Sequence, residues 1–143
     1  MSRDTIAIAS DHAGYSLKEA LKAELVALGH RVLDLGTDGT SSVDYPDFGH
    51  AMGRAIENGE ASRGVLVCGT GIGISMAANR HGGVRAAVCH DTTTARLSRT
   101  HNDANVLALG ARIVGPEVAI DCLKVFLRSE FEGGRHEPRV AMI

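Results

Sequence analysis

The sequence predicts a single α/β domain: a Rossmann-like, doubly wound sheet of about five parallel strands with helices on both faces. Short apolar runs alternate with segments of helical pattern almost to the end of the chain. Strand–helix alternation of this kind produces parallel sheets, and right-handed crossovers place the helices on both faces. With 143 residues, the chain is long enough for one core and too short for two ordinary domains.

The first half of the chain supplies two strands and two helices. Apolar runs at 5–10 and 31–35 predict strands. Between them, the apolar residues of 17–28 recur with the helical period of 3.6, and the glycine that follows is a typical helix stop. Proline suits the first turn of a helix, so a second helix is expected from Pro46 to near Gly59.

The second half continues the alternation through three strands and three helices. Asp91 is a plausible N-cap for the fourth helix, and Pro116 opens the fifth. The tail 132–143 shows no clear periodicity, so we divide the chain into a domain at 1–131 and a tail at 132–143. The expected elements are strand 64–67, helix 72–79, strand 85–89, helix 92–99, strand 105–109 and a helix from 116 to about 131.

Composition excludes several classes of function. The net charge of −2 and the absence of tryptophan disfavour nucleic-acid binding, and no apolar stretch is long enough to span a bilayer. Three separated cysteines, Cys68, Cys89 and Cys122, form neither a disulfide framework nor a metal knuckle, which indicates a reducing cytoplasm. The seven histidines lack metalloprotease spacing, so no metal is expected.

Ligands of such sheets bind beyond the carboxyl ends of the strands. Residues distant in sequence should therefore share one rim of the sheet. They are Asp11, His12, Cys68 to Gly73, His90, Asp91 and Gly110 to Arg112.

The most distinctive rim segment is the glycine-rich loop after the third strand. An apolar run ends on Cys68, and Gly69, Gly71 and Gly73 follow at alternate positions. The spacing matches neither a dinucleotide fingerprint nor a P-loop, and no arginine stands where a cysteine phosphatase requires one. Glycines let backbone N–H groups approach an anion, and a helix N-terminus stabilises a thiolate. A tight turn with an inert buried cysteine is the alternative interpretation.

Other polar residues are candidates for chemistry or for plain structure. Ser75 or Thr70 could donate a hydrogen bond to Cys68, whereas Cys89 and Cys122 lie in apolar settings and are expected to be inert. Asp11 could simply cap a helix, and Asn102 could simply end one. His101 can transfer protons near neutral pH. Permanently charged arginines with phosphate-matching geometry are Arg112, Arg135 and Arg139.

These blocks together resemble the type B ribose-5-phosphate isomerases, in the family that also holds the galactose-6-phosphate isomerase subunits. The resemblance covers nearly the whole chain, and five blocks occur in the family's order. They are Ser10 to Gly14, Asp44 to Pro46, Cys68 to Ser75, Leu97 to Asp103 and Glu132 to His136.

The resemblance implies a cofactor-free aldose–ketose isomerase that interconverts ribose 5-phosphate and ribulose 5-phosphate. Family members use either a cysteine or a glutamate as base. This chain has Cys68 and carries Ser75 at the glutamate position, so it is similar to the cysteine subtype. Cys68 would move a proton between C1 and C2 through a cis-enediolate. The N–H groups of Gly69, Thr70, Gly71, Ile72 and Gly73 would hold the developing charge.

The remaining roles implied by the resemblance concern ring opening and substrate binding. His101, assisted by Thr70 and Asp11, would open the furanose ring. The phosphate would bind His12, Arg135 and Arg139, with Asn102 and Arg112 completing the pocket and Tyr45 contacting the sugar. Family members are homodimers with sites at the interface, and a tetramer is open. His101 and the tail arginines could therefore serve the neighbouring subunit.

Two other functions remain open at this point. The same chemistry could act on a six-carbon substrate such as allose or galactose 6-phosphate, because pocket depth cannot be read from sequence. A non-catalytic sugar-phosphate binding module on the same fold is the other alternative.

Overall fold

A five-stranded, all-parallel sheet forms the centre of the protein, with strand order β2-β1-β3-β5-β4. The computed structural model describes residues 4–143, so residues 1–3 of the predicted domain lie outside it. The sheet confirms the predicted α/β fold. The strands are β1 (Thr5–Ser10), β2 (Arg31–Asp34), β3 (Arg63–Cys68), β4 (Ala86–Val88) and β5 (Val106–Gly110).

Five longer helices separate and follow the strands, and their ends have local causes. Gly29 has φ +89° just beyond α1, a conformation that glycine adopts without strain. The Asp91 carboxylate accepts the Thr94 N–H at 2.7 Å and so caps α4 as predicted. The helices are α1 (Tyr15–Ala27), α2 (Tyr45–Glu57), α3 (Ile72–Ala78), α4 (Thr92–Thr100) and α5 (Pro116–Arg128).

The carboxyl end of the chain differs from expectation. The last long helix was expected to reach about Phe131 but ends at Arg128, because Ser129 turns to extended backbone and its hydroxyl donates to the Val125 carbonyl at 2.7 Å. The tail then forms a 3₁₀ turn at Gly134–His136 and the short helix α6 at Glu137–Val140. Elements this short show no period in sequence. The division at residue 131 stays a prediction.

Alternate residues of each central strand pack on opposite faces of the sheet. In β3, Val65 and Val67 join the cluster beneath α1, α4 and α5, whereas Leu66 and Cys68 face α2 and α3. Burial on both faces explains why the strands read as continuous apolar runs. No helix of residues 4–143 is long and apolar enough to cross a membrane.

The topology opens a crevice between the carboxyl ends of β1 and β3. These neighbouring strands are followed by helices on opposite faces, α1 after β1 and α3 after β3. The segments that follow β1 and β3 therefore diverge, and the space between them is the usual position for a ligand in this class of fold. The Asp11 N–H still donates to the Val67 carbonyl at 3.2 Å, so both strand ends stay in register there.

Candidate active site

Cys68 is the last residue of β3 and lies beneath the glycine loop. Its side chain is buried, with 5% of the residue exposed, and Sγ accepts the Gly71 N–H at 3.1 Å. Gly71 has φ +79°, and a Cβ there would lie 2.9 Å from the carbonyl carbon of Leu109. Only glycine therefore allows the loop to fold back against β5 and present an N–H group to the sulfur.

Neither hydroxyl group that was expected to donate to Cys68 is hydrogen-bonded to Sγ. Ser75 Oγ donates to the Ile72 carbonyl at 2.7 Å, and Thr70 Oγ1 accepts the Ile72 N–H at 3.2 Å. The expectation that Ser75 or Thr70 supplies the thiol's hydrogen bond is wrong in this structure. The donor is backbone, because the αL turn at Gly71 aims its N–H directly at the sulfur.

Asp11 and His12 leave β1 beside this loop. The buried Asp11 carboxylate accepts the Gly14 N–H at 3.0 Å in the turn before α1, but the N-cap of α1 is Gly14 itself, without a side-chain hydrogen bond, so Asp11 is not the helix cap considered from the sequence. His12 Nδ1 accepts the Val43 N–H at 3.1 Å. The acceptor role at Nδ1 assigns the proton of a neutral ring to Nε2, which stays able to donate to a substrate oxygen.

Tyr45 and Arg112 complete the same rim. The Tyr45 ring covers Gly73, where a Cβ would lie 2.5 Å from the ring. The Arg112 N–H donates to the Gly69 carbonyl at 3.0 Å, and its guanidinium lies 3.4 Å from the position of a Gly69 Cβ. The predicted residues of β1, β3, α2 and the β5–α5 loop are thus brought together at the carboxyl edge.

The other predicted residues lie at the opposite edge of the sheet. His101 follows α4, which runs back to the amino edge, and the Asn105 N–H there donates to the Arg85 carbonyl just before β4. Asn102 is in the same segment. The tail that carries Arg135 and Arg139 attaches here, because the Glu132 N–H donates to the Thr100 carbonyl at 3.0 Å. In one chain, these four residues are not brought to Cys68.

His136 packs against His101 in a contact that sequence reasoning missed. Their rings stack with centroids 4.3 Å apart and 16° between planes. Burial, helped by the nearby His101 and Arg135, lowers the pKa of His136 and favours its neutral form. The ligand atoms of His101, Glu132 and His136 lie within 4.8 Å of one another, and His136 Nε2 is 3.6 Å from Glu132 Oε1.

His90 lies on the rim where the sequence placed it, with a partner that the sequence did not indicate. Its Nε2 accepts the N–H of Gly110 at 3.0 Å. The pairing joins residues that are 20 positions apart, and it depends on the orientation of one side chain. The only signal in the sequence that could have indicated this contact is the position of His90 directly after a predicted strand.

The other two cysteines lie in the apolar core. Burial raises the pKa of the Cys89 thiol, and it raises that of Cys122 to about 11. Both are therefore protonated near neutral pH. The structure supports the expectation that neither is a nucleophile or base.

The sequence matches a known protein family and is similar to several known proteins. Residues 6–143 match the family model described as Ribose/Galactose Isomerase. The chain is 46% identical over 138 residues to ribose-5-phosphate isomerase B of Escherichia coli (strain K12), covering 96% of this chain and 93% of that protein. It is 44% identical over 140 residues to D-erythrulose-4-phosphate isomerase of Pectobacterium atrosepticum, covering 97% and 92%.

A solved structure is also similar to this protein over nearly the whole chain. Ribose-5-phosphate isomerase B from Clostridium thermocellum superposes with a TM-score of 0.95 at 52% sequence identity, covering 96% of this chain and 93% of that one. The similarity therefore extends over both edges of the sheet and the tail.

Proposed function

Because the chain belongs to the ribose/galactose isomerase family, we propose that it interconverts ribose 5-phosphate and ribulose 5-phosphate without a cofactor. The observation that carries this proposal is the Cys68 thiol, buried at the carboxyl end of β3 and hydrogen-bonded by Gly71 N–H. A base that exchanges one proton between adjacent carbons is sufficient for this reaction. The three unpaired cysteines support a cytoplasmic location.

In the proposed step, the Cys68 thiolate removes the proton from C2 of the open-chain aldose. The electron pair moves into a C1–C2 double bond and the carbonyl electrons move onto O1, so the product is the cis-enediolate with its negative charge on O1. Transfer of the O2 proton to O1 moves the charge to O2, and return of the proton from Cys68 to C1 then gives the ketose. Gly71 and Ile72 already donate their N–H groups within the loop, so we assign the developing negative charge to those of Gly69, Thr70 and Gly73.

Substrate binding at the carboxyl edge would use the groups around the crevice. His12 can donate from Nε2 to a phosphate oxygen, because Nδ1 is occupied by Val43 N–H. Arg112 is exposed beside Gly69 and matches phosphate in a bidentate fork. Tyr45 would contact the sugar, and Asp11 would support ring opening from its buried position. Fixed contacts of this kind orient the reacting carbons.

We assign the missing groups to a second copy of the chain, so that each site spans a homodimer interface. A two-fold interface is isologous, so the carboxyl edge of each copy can meet the amino edge of the other. His101, Asn102, Arg135 and Arg139 of one copy would then complete the site around Cys68 of its partner. His101 would open the ring, and the arginines would hold the phosphate.

An exposed apolar face that joins the two edges supports this dimer. Ile72 and Met76 are exposed on α3, next to the half-buried edge strand β4. Ile143 is also exposed and lines a groove with Ala87 and Asn102 near the amino edge. Large exposed apolar side chains on one side of a protein are typical of an interface.

The test is ketose formation by the purified protein in the presence of a chelator. The aldoses ribose 5-phosphate, allose 6-phosphate and erythrose 4-phosphate are compared, the last because it is the aldose that corresponds to the ketose in the name of the Pectobacterium relative. Turnover that is fastest with the pentose phosphate supports the proposal. A clear preference for the six-carbon or four-carbon compound keeps the chemistry and changes the substrate. Binding without turnover of any of them would make the protein a sugar-phosphate binding module.

A further inference from the structure

His90 takes the place of a backbone acceptor at the end of the sheet. Strand β4 ends at Val88, and the ladder continues only as far as the Cys89 N–H, which donates to the Ala108 carbonyl at 3.1 Å. Gly110, the last residue of β5, donates its N–H to His90 Nε2 instead. Gly110 is buried, and a buried N–H without an acceptor is unfavourable, so the imidazole extends the sheet by one hydrogen bond.

Gly110 is in turn packed against the segment that carries Cys68. It pairs with Cys68 in the register of β3 and β5. A Cβ on Gly110 would lie 2.7 Å from the carbonyl group of Thr70, so the two backbones are in close contact. A displacement of Gly110 would therefore change its contact with Thr70 and the path of the residues that follow it, whereas Gly71 packs against Leu109.

The two residues after Gly110 are bonded to the same loop. The Ala111 N–H donates to the Cys68 carbonyl at 2.9 Å, and the Arg112 N–H donates to the Gly69 carbonyl at 3.0 Å. The backbone position of Arg112 thus depends on how Gly110 leaves the sheet. His90 is the side chain that holds Gly110 from the other side.

We propose that His90 is a positioning residue for the isomerase site: its Nε2 fixes Gly110 and thereby sets the position of Arg112 against Gly69. This inference rests on the proposed function, because the affected groups are those assigned to substrate binding. Cys68 Sγ has its own donor in Gly71, so the base is held independently of His90. The main effect of losing the acceptor falls on substrate binding rather than on proton transfer.

The experiment compares His90→Leu, which has no acceptor, with His90→Gln, whose amide oxygen can replace Nε2. His30→Leu is the matched control, because His30 lies between α1 and β2 in a groove lined by Leu28 and Leu127. Steady-state kinetics with ribose 5-phosphate separate KM from kcat. Amide hydrogen exchange at Gly110, followed by NMR on the intact protein, reports the hydrogen bond without turnover.

For His90→Leu, we expect KM to rise about tenfold with kcat changed less than about twofold, because a group displaced by a fraction of an ångström loses much of its contribution. Exchange at Gly110 should become faster. His90→Gln should restore both values to near those of His30→Leu.

Three results would overturn the inference. The first is an unchanged rate of amide exchange at Gly110 in His90→Leu. The second is an equal rise of KM in the His90→Leu and His90→Gln variants. The third is a fall in kcat with no change in KM. A wild-type protein inactive on every sugar phosphate would instead refute the proposed function, and Gly110 exchange would still decide whether His90 holds the loop.

Discussion

Cys68 and His101 lie at opposite edges of the same sheet. Cys68 ends β3 at the carboxyl edge, where it pairs with Gly110, whereas His101 follows α4 at the amino edge, close to the start of β5. Strand β5 alone separates the two edges by about 13 Å, at roughly 3.3 Å per residue. This placement is the reason for assigning the two side chains to one substrate only across a pair of chains. If both act in catalysis, they act across a pair of chains.

Removing the thiol should separate chemistry from binding. Cys68→Ala is expected to lose isomerisation by at least about a thousandfold, since no other group takes over the proton. The affinity for a non-reactive sugar phosphate, measured by calorimetry, should stay nearly unchanged because the phosphate contacts remain. A variant that keeps a tenth of wild-type activity would remove Cys68 as the base.

Cys122→Ala is the matched control for this variant. The Cys122 thiol is fully buried, with its pKa raised to about 11, and it faces the core from α5. We expect wild-type turnover from it, with a modest loss of stability from the small cavity.

The tail arginine should act on substrate affinity. Arg139 is exposed on α6, and its guanidinium matches a phosphate oxygen pair. Arg139→Ala should raise KM by roughly ten- to a hundredfold, the usual range for a charge-assisted hydrogen bond, with a smaller effect on kcat. Arg54→Ala, an exposed arginine on α2, is the control and should behave as wild type. An unchanged KM for Arg139→Ala would show that this arginine is only solvated.

A buried ion pair at the end of β2 should dominate local stability. Lys18 is 1% exposed, and its Nζ donates to both oxygens of Asp34, at 2.8 and 2.9 Å. Asp34→Asn leaves this buried ammonium with only the exposed Glu19 carboxylate, at 3.6 Å, as a counter-charge, so the free energy of unfolding in urea at pH 7 should fall by about 3 kcal/mol. Lys22→Gln, at the more exposed partner, should cost under about 1 kcal/mol. Equal losses for the two variants would contradict this account.

The same pair predicts a pH dependence. Burial raises the pKa of Asp34, but hydrogen bonds from Lys18, from the Gly36 N–H and from Lys22 outweigh it and hold the pKa below its usual range. A carboxyl with a lowered folded pKa stabilises the protein fully above its unfolded pKa of about 4 and loses this contribution as the pH falls through the folded value. Wild type should therefore lose more stability than Asp34→Asn on acidification below about pH 4. If the free energy of unfolding changed with pH in the same way in wild type and in Asp34→Asn, the proposed contribution of Asp34 would be contradicted.

The fold could be predicted from the sequence because the central strands β1, β3 and β5 are buried on both faces. The runs around Ile6, Val65 and Leu107 left no alternative to a parallel sheet, and the structure confirms it. The end of α5 was harder to predict from the sequence, because the apolar pattern continues to Phe131 although the Ser129 hydroxyl donates back to the helix.

The site was predictable to the extent that topology determines it. Strand order places Asp11, Cys68 and Arg112 on one rim, so their proximity follows from the fold. The stack of His136 on His101 and the bond from Gly110 to His90 depend on side-chain orientation between distant segments. No periodicity encodes such contacts. The catalytic and binding roles of all these residues stay predictions.

The most direct test of a shared isomerase site is to mix two inactive variants. Cys68→Ala and His101→Ala are purified separately, exchanged under mild denaturation and assayed with ribose 5-phosphate. Random pairing makes half of the dimers mixed, and each mixed dimer holds one intact site of two, so about a quarter of wild-type activity should return. No recovery, with subunit exchange shown by mass spectrometry, would contradict a site built from Cys68 of one chain and His101 of another.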